Sequence, residues 1–487
     1  MGGLTWSQVV DELRRADLLS EAPAAGPDPR ALGVDSRSVD RGTFYIAVRG
    51  SQADGHRFVA DAVGRGVSAV IVESPQKSGV PEIVVRDSRR AALVLGAAWY
   101  DHPARCLSLI GVTGTNGKTT TTGLVRHLLN RNQNAGSIGT LGAFDGADQP
   151  VPSTAGSLTT PGPIDLQATL AALQSRGVAH VVMETSSHSL DQGRLDGLSF
   201  AAGVFTNLTR DHLDYHGTME AYLGSKLRLA DLLRPSGVEV VNLDDDAWSA
   251  LPSRNRRITF GLHPAADVRA TQVSLNAGGS CFRLTGRFGS SEVLLPLLGD
   301  FNVSNALAAA AAALGLELSL PEVIDRLATA PQIPGRMERI SDTPCTVLRD
   351  YSHTPDSLER ALRTLRPLTP ARIILVFGCG GDRDKGKRPL MGRIAADLSD
   401  LAIATSDNPR TEDPGAIINE IERGMGGAPH LRILDRLSAI QAALNEGRAG
   451  DTILLAGKGH ETYQVIGTRK IDFDEREIVQ RLVRGER

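Results

Sequence analysis

The sequence predicts an α/β protein of three domains, and three observations predict it. Apolar runs of strand length alternate with helical patterns along most of the chain, as in parallel sheets with crossover helices. The alternation starts near the N-terminus, starts again at about residue 105, and restarts from about Pro334. A length of 487 residues suits roughly three cores of ordinary size. The expected divisions are 1–104, 105–333 and 334–487.

In the first segment, residues 4–19 read as an amphipathic helix. Strand-like runs follow at Thr43–Val48, Ser68–Val72 and Glu82–Val85, with helical patterns at Arg57–Val63 and Ser88–Tyr100. Asp101-His102-Pro103 reads as the exit linker. Two polar, glycine-punctuated loops, 33–38 and 50–56, lie at strand ends, where α/β proteins place ligands. Taken alone, each reads as an ordinary surface turn.

The central segment opens on the most informative stretch. Leu107–Val112 is an apolar run fit for a buried strand, and Gly114-Thr115-Asn116-Gly117 is a tight turn. Lys118-Thr119-Thr120 then opens an amphipathic helix that continues through Leu124, Val125, Leu128 and Leu129. Unpaired N–H groups and the helix dipole converge at such a start, which favours phosphate. Lys118 adds a cation for the β- and γ-phosphates, and the Thr119 hydroxyl is a ligand for Mg²⁺. The strict P-loop pattern has a glycine where this chain has Val112, so the loop reads better as Gly114–Thr120. This stretch predicts ATP binding. Ala179–Met183 and Ala201–Phe205 are further buried-strand runs. They deliver Glu184 and, through Thr206–Asp211, His212 to the sheet edge that carries Lys118. Lys226 follows on a helix expected over Met219–Leu233. Zinc at Glu184, His188, His212 and His216 is the weaker reading, because the spacing is not His-Glu-x-x-His and no thiolate is near. Oxygen ligands beside a nucleotide favour Mg²⁺.

A β-rich stretch, Asp267–Leu298, leads to Gly299–Asn305 and an alanine-rich helix expected at Ala306–Leu314, with the asparagines as caps. In the last segment the strand runs are Ile373–Phe377, Leu401–Ala404, Leu431–Leu434 and Thr452–Leu455. Helices near Asp356–Leu365, Pro389–Leu398, Pro414–Arg423 and Leu437–Leu444 separate them, which predicts a second doubly wound sheet. Its strand-end loops are 378–385, 406–410 and 457–461.

Composition narrows the function classes. Apolar content of 41% and charge of 22% are those of a soluble globular protein. A net charge of −3 and 4% aromatic residues give no support for a nucleic-acid partner. No apolar run is long enough to span a bilayer, and no signal-peptide pattern opens the chain. Four scattered cysteines, without a Cys-x-x-Cys pair, suit a reducing cytoplasm.

Together these stretches resemble the Mur ligases of bacterial peptidoglycan precursor synthesis. The resemblance rests on Gly114–Thr120, on Glu184 with Ser186-Ser187-His188, and on Thr206-Asn207 through His212. It rests also on Gly299–Asn305 and on Asp350-Tyr351-Ser352-His353-Thr354-Pro355. It implies a small N-terminal α/β domain, a central P-loop-type parallel sheet that binds ATP, and a C-terminal Rossmann-like domain. It also implies a cytoplasmic, monomeric ligase of cell-wall biogenesis that uses ATP and Mg²⁺. Its substrates would be UDP-N-acetylmuramoyl-L-alanyl-D-glutamate and meso-diaminopimelate, joined through an acyl phosphate.

By position the resemblance assigns Val34, Ser36 and Ser51, Gln52, Ala53, Asp54 to the UDP end of the substrate. Thr159, Thr160, Ser186, Gln192 and Arg194 would hold its peptide-bearing part, and Leu158 stands where the family often has asparagine. Thr119, Glu184, His212 and a carbamylated Lys226 would serve the metal, with Asn305, Asp350 and His353 near the nucleotide. Arg383, Asp407, Asn408, Pro409, Arg410, Gly457 and Glu461 would bind the amino acid. The family's diaminopimelate-adding members carry the Asp-Asn-Pro-Arg motif, whereas lysine-adding members lack its arginine. A P-loop ATPase or kinase would need no loops for further substrates, and a non-catalytic ATP binder would not need Glu184, His212 and Lys226. Folyl-polyglutamate ligases share the central domain, but the first domain's loops and residues 407–410 argue against them.

Overall fold

The computed structural model describes residues 3–50, 53–152, 158–252, 254–276 and 278–486. Ser51 and Gln52, expected in the UDP-binding loop, lie outside them. The chain divides into two compact units, 1–269 with 307–323, and 270–306 with 324–487. The fold class is α/β as expected, with three parallel-rich sheets. Among the described residues, no helix is long and apolar enough to cross a membrane.

In the first unit, helix α1 (Trp6–Arg15) starts at Thr5, which accepts from Gln8 N while the Gln8 side chain accepts from Thr5 N. The helix is shorter than the expected 4–19. Asp17 turns left-handed at φ 55°, and the chain leaves as strand β1 (Leu19–Glu21). β2 (Ala31–Gly33), β3 (Thr43–Ile46), β4 (Ala69–Val72) and β5 (Glu82–Val85) complete a sheet of order β1-β5-β4-β3-β2. Its strands are parallel except β1. Phe44, Ile46, Ile71 and Ile83 pack one face against Val9, Leu13 and Leu95, the last on α3 (Ser88–Trp99). Tyr45, Val70 and Val72 pack the other against Val59 and Ala62 of α2 (Val59–Gly64). Burial on both faces is why these strands read as unbroken apolar runs.

The second sheet of this unit centres on β6 (Ser108–Thr113). It includes β7 (Ala135–Gly139), β8 (Gly142–Phe144), β9 (His180–Glu184), β10 (Phe200–Phe205), β11 (Leu233–Asn242) and β12 (Arg256–Gly261), in the order β12-β11-β10-β6-β9-β7-β8. Only β8 runs antiparallel within that stretch. Helices α4 (Lys118–Leu129), α5 (Pro163–Ser175), α6 (Ser187–Asp191), α7 (Leu213–His216) and α8 (Met219–Asp231) join the strands. β11 and β12 were not expected. Arg234-Pro235-Ser236-Gly237 reads as a turn, and the Arg256-Arg257 start masks a short strand.

β13 (Val268–Asn276) pairs with β12 at Val268 and Arg269, and β14 (Gly279–Gly286) forms a hairpin with β15 (Gly289–Leu295). Helices α9 (Asp300–Gly315) and α10 (Leu320–Leu327) follow. α9 begins at Asp300, not Ala306, so Asn302 and Asn305 lie inside it and do not cap its start. The Asn302 amide is satisfied there by the Leu298 carbonyl (2.8 Å), which removes the cost of a polar side chain in a buried first turn.

The second unit's main sheet has β16 (Glu338–Ser341), β17 (Thr346–Asp350), β18 (Ile373–Phe377), β19 (Leu401–Ala404), β20 (His430–Arg432) and β21 (Thr452–Ala456). Its order is β16-β17-β21-β18-β19-β20, parallel apart from β16. A hairpin of β22 (Tyr463–Ile466) and β23 (Arg469–Asp472) follows β21. Helices α11 (Pro355–Leu365), α12 (Lys387–Leu398) and α13 (Pro414–Gly424) supply one core face, and α14 (Arg436–Glu446) and α15 (Glu475–Val483) the other.

Candidate functional site

The chain leaves β6 at Thr113 and enters α4 at Lys118, with Gly117 as N-cap in the left-handed region at φ 81°. Gly114 has φ 146°, and a Cβ there would lie 1.9 Å from Thr206 Oγ1, so only glycine fits. The loop is braced from the end of β10. Asn207 accepts Thr115 N at its backbone carbonyl (2.7 Å) and Asn116 N at Oδ1 (2.9 Å). Thr206 Oγ1 donates to the Asn116 carbonyl at 2.8 Å. Thr206 and Asn207 were not among the expected site residues, although their place at a strand end was the available signal. The first turn of α4 carries no acidic residue, which leaves its positive end suited to an anion.

Register brings the strand ends together, with Val112 opposite Glu184 and Thr113 opposite Phe205. Glu184 is buried at 2% exposure. Its Oε1 accepts Thr140 N (2.8 Å) and its Oε2 accepts Thr140 Oγ1 (3.1 Å). Gly139 makes room for this, since a Cβ there would lie 2.4 Å from Oε1. Lys118 Nζ donates to the carbonyls of Gly114 (3.1 Å) and Thr115 (2.8 Å). Lys226, 1% exposed, donates to the same Gly114 carbonyl at 2.7 Å and sits 4.3 Å from the Tyr222 ring centroid. Among the described residues no carboxylate lies within ion-pair distance of Lys226. Burial, then the Lys118 cation, hold its pKa well below the usual lysine value. His212 turns left-handed at φ 52°, with its ring edge-on to His188 at 4.8 Å. Burial lowers its pKa against the opposing charge of Asp211, and Lys118 and Lys226 add to the lowering.

The peptide-holding candidates meet beside Glu184. Thr160 Oγ1 donates to the Glu184 carbonyl (2.9 Å) and lies 3.2 Å from Ser186 Oγ, while Thr140 Oγ1 reaches Thr159 Oγ1 (3.3 Å). Arg194 donates to the Thr160 carbonyl (3.0 Å) and to Gln192 Oε1 (2.9 Å). Leu158 is 48% exposed next to them. In the first sheet's loops, Ser36 is buried, Val34 half-buried and Ala53 exposed. Asp54 accepts from His56 N (3.0 Å) and His56 Nδ1 (2.7 Å), which holds its carboxyl below the ordinary value. Arg89 joins the two regions by donating to the carbonyls of Gln192 (3.0 Å) and Arg49.

In the second unit, Asp350 ends β17 and accepts Met337 N at 2.7 Å, and burial pushes its carboxyl pKa upward. His353 is exposed, and its Nδ1–H donates to the Tyr351 carbonyl (2.8 Å). Arg336, which sequence reasoning missed, stacks 4.8 Å from the centroid of Tyr351. Asn305 is buried, its Nδ2 donating to Asn302 Oδ1 at 3.1 Å.

The ends of β19 and β21 gather Asp407, Asn408, Pro409, Arg410, Gly457 and Glu461. Arg410 is half-buried, and its Nη1 donates to the Gly381 carbonyl at 2.7 Å. Gly381 N in turn donates to the Asn408 carbonyl (2.9 Å), which ties in the loop bearing Arg383. Arg383 itself is exposed. A Cβ at Gly457 would lie 2.4 Å from Asp407 Oδ2, so this glycine admits the carboxylate. Glu461 accepts from Asn408 Nδ2 (2.8 Å) and Lys458 Nζ (3.2 Å).

A strand, a glycine turn and a helix opening on Lys118-Thr119, with a buried acid at the neighbouring strand end, define a nucleotide-binding α/β protein. Residues 112–313 match the Mur ligase middle domain, 335–459 the Mur ligase, glutamate ligase domain, and 30–101 the Mur ligase family, catalytic domain. The chain is 44% identical over 490 residues to the UDP-N-acetylmuramoyl-L-alanyl-D-glutamate–2,6-diaminopimelate ligase of Geobacillus kaustophilus, covering 96% of this chain and 98% of that one. It is also 44% identical, over 503 residues, to the ligase of that name from Geobacter metallireducens, with 96% and 97% covered. A solved structure of a ligase of the same name superposes with a TM-score of 0.67 at 34% identity, over 99% of each chain. The chain belongs to the Mur ligase family.

Proposed function

We infer that this chain is the ATP-dependent ligase that adds meso-diaminopimelate to UDP-N-acetylmuramoyl-L-alanyl-D-glutamate in peptidoglycan precursor synthesis. The observation that carries the reading is the meeting of two kinds of residue at Glu184. The phosphate loop with Lys118 lies on one side, and Thr159, Thr160, Ser186 and Arg194 lie on the other. A nucleotide phosphate and the carboxylate of a second substrate can therefore be brought together.

The chemistry follows from charge. A carboxylate is a poor acceptor for an amine, because oxide is a poor leaving group. Transfer of the γ-phosphoryl of ATP onto it gives an acyl phosphate, and the incoming amine attacks through a tetrahedral intermediate that expels phosphate. Two anions must approach, so Lys118 and the N-terminus of α4 supply positive charge where they meet.

Mg²⁺ would lower the same repulsion, held by Thr119, Glu184, His212 and Lys226. Glu184 fits that role as it stands, whereas Lys226 fits only after conversion to a carbamate. Its buried, pKa-lowered amine, without a carboxylate partner, is the form that attacks CO₂ and then loses a proton. The resulting carboxylate would face Lys118 in place of a second cation. We assign the UDP end to Val34, Ser36 and 51–54, and the amino acid to Arg383, 407–410, Gly457 and Glu461. Asn305, Asp350 and His353 are assigned to the nucleotide. The domains are taken as 1–104, 105–333 and 334–487, and the enzyme as a cytoplasmic monomer. Phosphate release tests the reading. It should require ATP, the UDP-dipeptide and diaminopimelate together, and release without the amino acid would contradict it.

A further inference from the structure

We propose that Lys458 is a positioning residue of the amino-acid pocket, holding Glu461 in place and balancing its charge without touching the substrate. The inference rests on the reading of residues 407–410 and 457–461 as that pocket.

Gly457-Lys458-Gly459-His460-Glu461 has the composition of an exposed loop, and a lysine in such a loop is ordinarily solvated. Lys458 has no exposed surface. The loop is folded back by Gly457 at φ 115° and Gly459 at φ 55°, and Glu461 N donates to the Lys458 carbonyl at 3.0 Å. A Cβ at Gly459 would lie 2.7 Å from Tyr351 Cβ, so the turn is pressed against the end of β17. Within it, Lys458 Nζ donates to Glu461 Oε2 (3.2 Å) and to Asn408 Oδ1 (3.1 Å), and lies 5.8 Å from the Tyr463 ring centroid.

Asn408 completes the clamp from the end of β19. Its Nδ2 donates to the same Glu461 Oε2 (2.8 Å), and its Oδ1 also accepts Val465 N (2.9 Å) from β22. Both lone-pair directions of that amide oxygen are thus used internally. Glu461 Oε2 receives two donors, whereas Oε1 has no partner among the described residues. Glu461 is also the sole carboxylate paired with Lys458 there, so the two charges cancel inside the protein.

Two consequences separate this arrangement from a plain structural ion pair. Removing Lys458 would leave Glu461 with an unbalanced charge and one fewer anchor, which weakens amino-acid binding before it alters phosphoryl transfer. The effect must also run through Glu461 alone. In Lys458→Met the KM for diaminopimelate should rise about tenfold or more, while the KM for ATP and for the UDP-dipeptide and the kcat change less than about threefold. In a Glu461→Gln background the same Lys458→Met change should move the diaminopimelate KM less than about twofold.

Steady-state kinetics on the full chain, with thermal unfolding of each variant, decides the matter. A tenfold rise of the diaminopimelate KM in both backgrounds would overturn the proposal, as would no change in the wild-type background. If Lys458→Met alone does not fold, the doubly neutral variant compared with Glu461→Gln decides: equal diaminopimelate KM values support the clamp, and a tenfold gap refutes it. Failure of the wild-type protein to use diaminopimelate at all would instead contradict the function proposed above.

Discussion

Replacing Arg410 by alanine is the most informative perturbation of the proposed amino-acid pocket. Lysine and diaminopimelate offer the same reacting end, and differ by a carboxylate at the far end of the side chain. Arg410 spends Nη1 on the Gly381 carbonyl at 2.7 Å and pairs with no carboxylate among the described residues. Its guanidinium lies over Gly380, where a Cβ would be 2.9 Å from Nη1, so the glycines hold the fork in one orientation. The remaining N–H groups can take a carboxylate through two parallel bonds. A hydrogen bond to a charged group contributes about 1.5–3 kcal/mol, and partial exposure places this pair at about 2–3 kcal/mol in all. The loss corresponds to roughly 30- to 200-fold in kcat/KM for diaminopimelate. Lysine has nothing for Arg410 to hold, so its own kcat/KM should hardly move. The backbone is a neutral factor, because arginine and alanine bear the left-handed φ of 51° alike and the bonds to Val465 and Gly467 persist. Arg410→Lys should recover only part of the loss, since an ammonium lacks the fork. Equimolar diaminopimelate and lysine compete in one sample, and mass spectrometry counts the two products. An unchanged product ratio in Arg410→Ala would refute the reasoning.

Four further outcomes are expected. Lys118→Ala should abolish ligation in a folded protein, and near-normal turnover would remove Lys118 from phosphoryl transfer. Lys226→Ala should be nearly inactive and regain part of its activity with short-chain carboxylic acids, whereas full activity in enzyme freed of CO₂ would exclude the carbamate. Gly114→Ala should lose ATP binding, because its Cβ would meet Thr206 Oγ1 at 1.9 Å; isothermal titration measures this, and wild-type affinity would contradict the steric argument. Burial, then Arg336 and Arg349, push His460 down to about 4 from 6.5, so between those values the unfolded chain holds a proton that the native one does not. Stability should therefore fall as pH drops from 6.5 towards 4, by roughly 1–3 kcal/mol from this residue, and His460→Gln should flatten that slope in urea titrations.

What the sequence discloses depends on how local the cause is. The strand, turn and helix at 107–129 are legible because a buried run, two obligatory glycines and a helix start lie within one stretch. Glu184 at the end of β9 is legible for the same reason. β11 was missed because Pro235 and Gly237 disguise its beginning, although Val238–Val241 pair with β10 and β12 on either side. The start of α9 was misplaced because Asn302 looks like a cap, and only the Leu298 carbonyl tells otherwise. Arg336 and Lys458 had no local signal. A charge in a glycine-rich loop reads as solvated until a residue far along the chain, Tyr351 for one and Asn408 for the other, is packed against it.

The central claim is that the carboxylate of the UDP-dipeptide is activated by phosphoryl transfer and then captured by diaminopimelate. The most direct measurement uses UDP-dipeptide labelled with ¹⁸O in the reacting carboxylate, together with ATP and diaminopimelate. The product should be heavier by one diaminopimelate residue, and each phosphate released should carry one ¹⁸O atom. Phosphate free of ¹⁸O, or a UDP-dipeptide recovered unchanged while ATP is consumed, would contradict it.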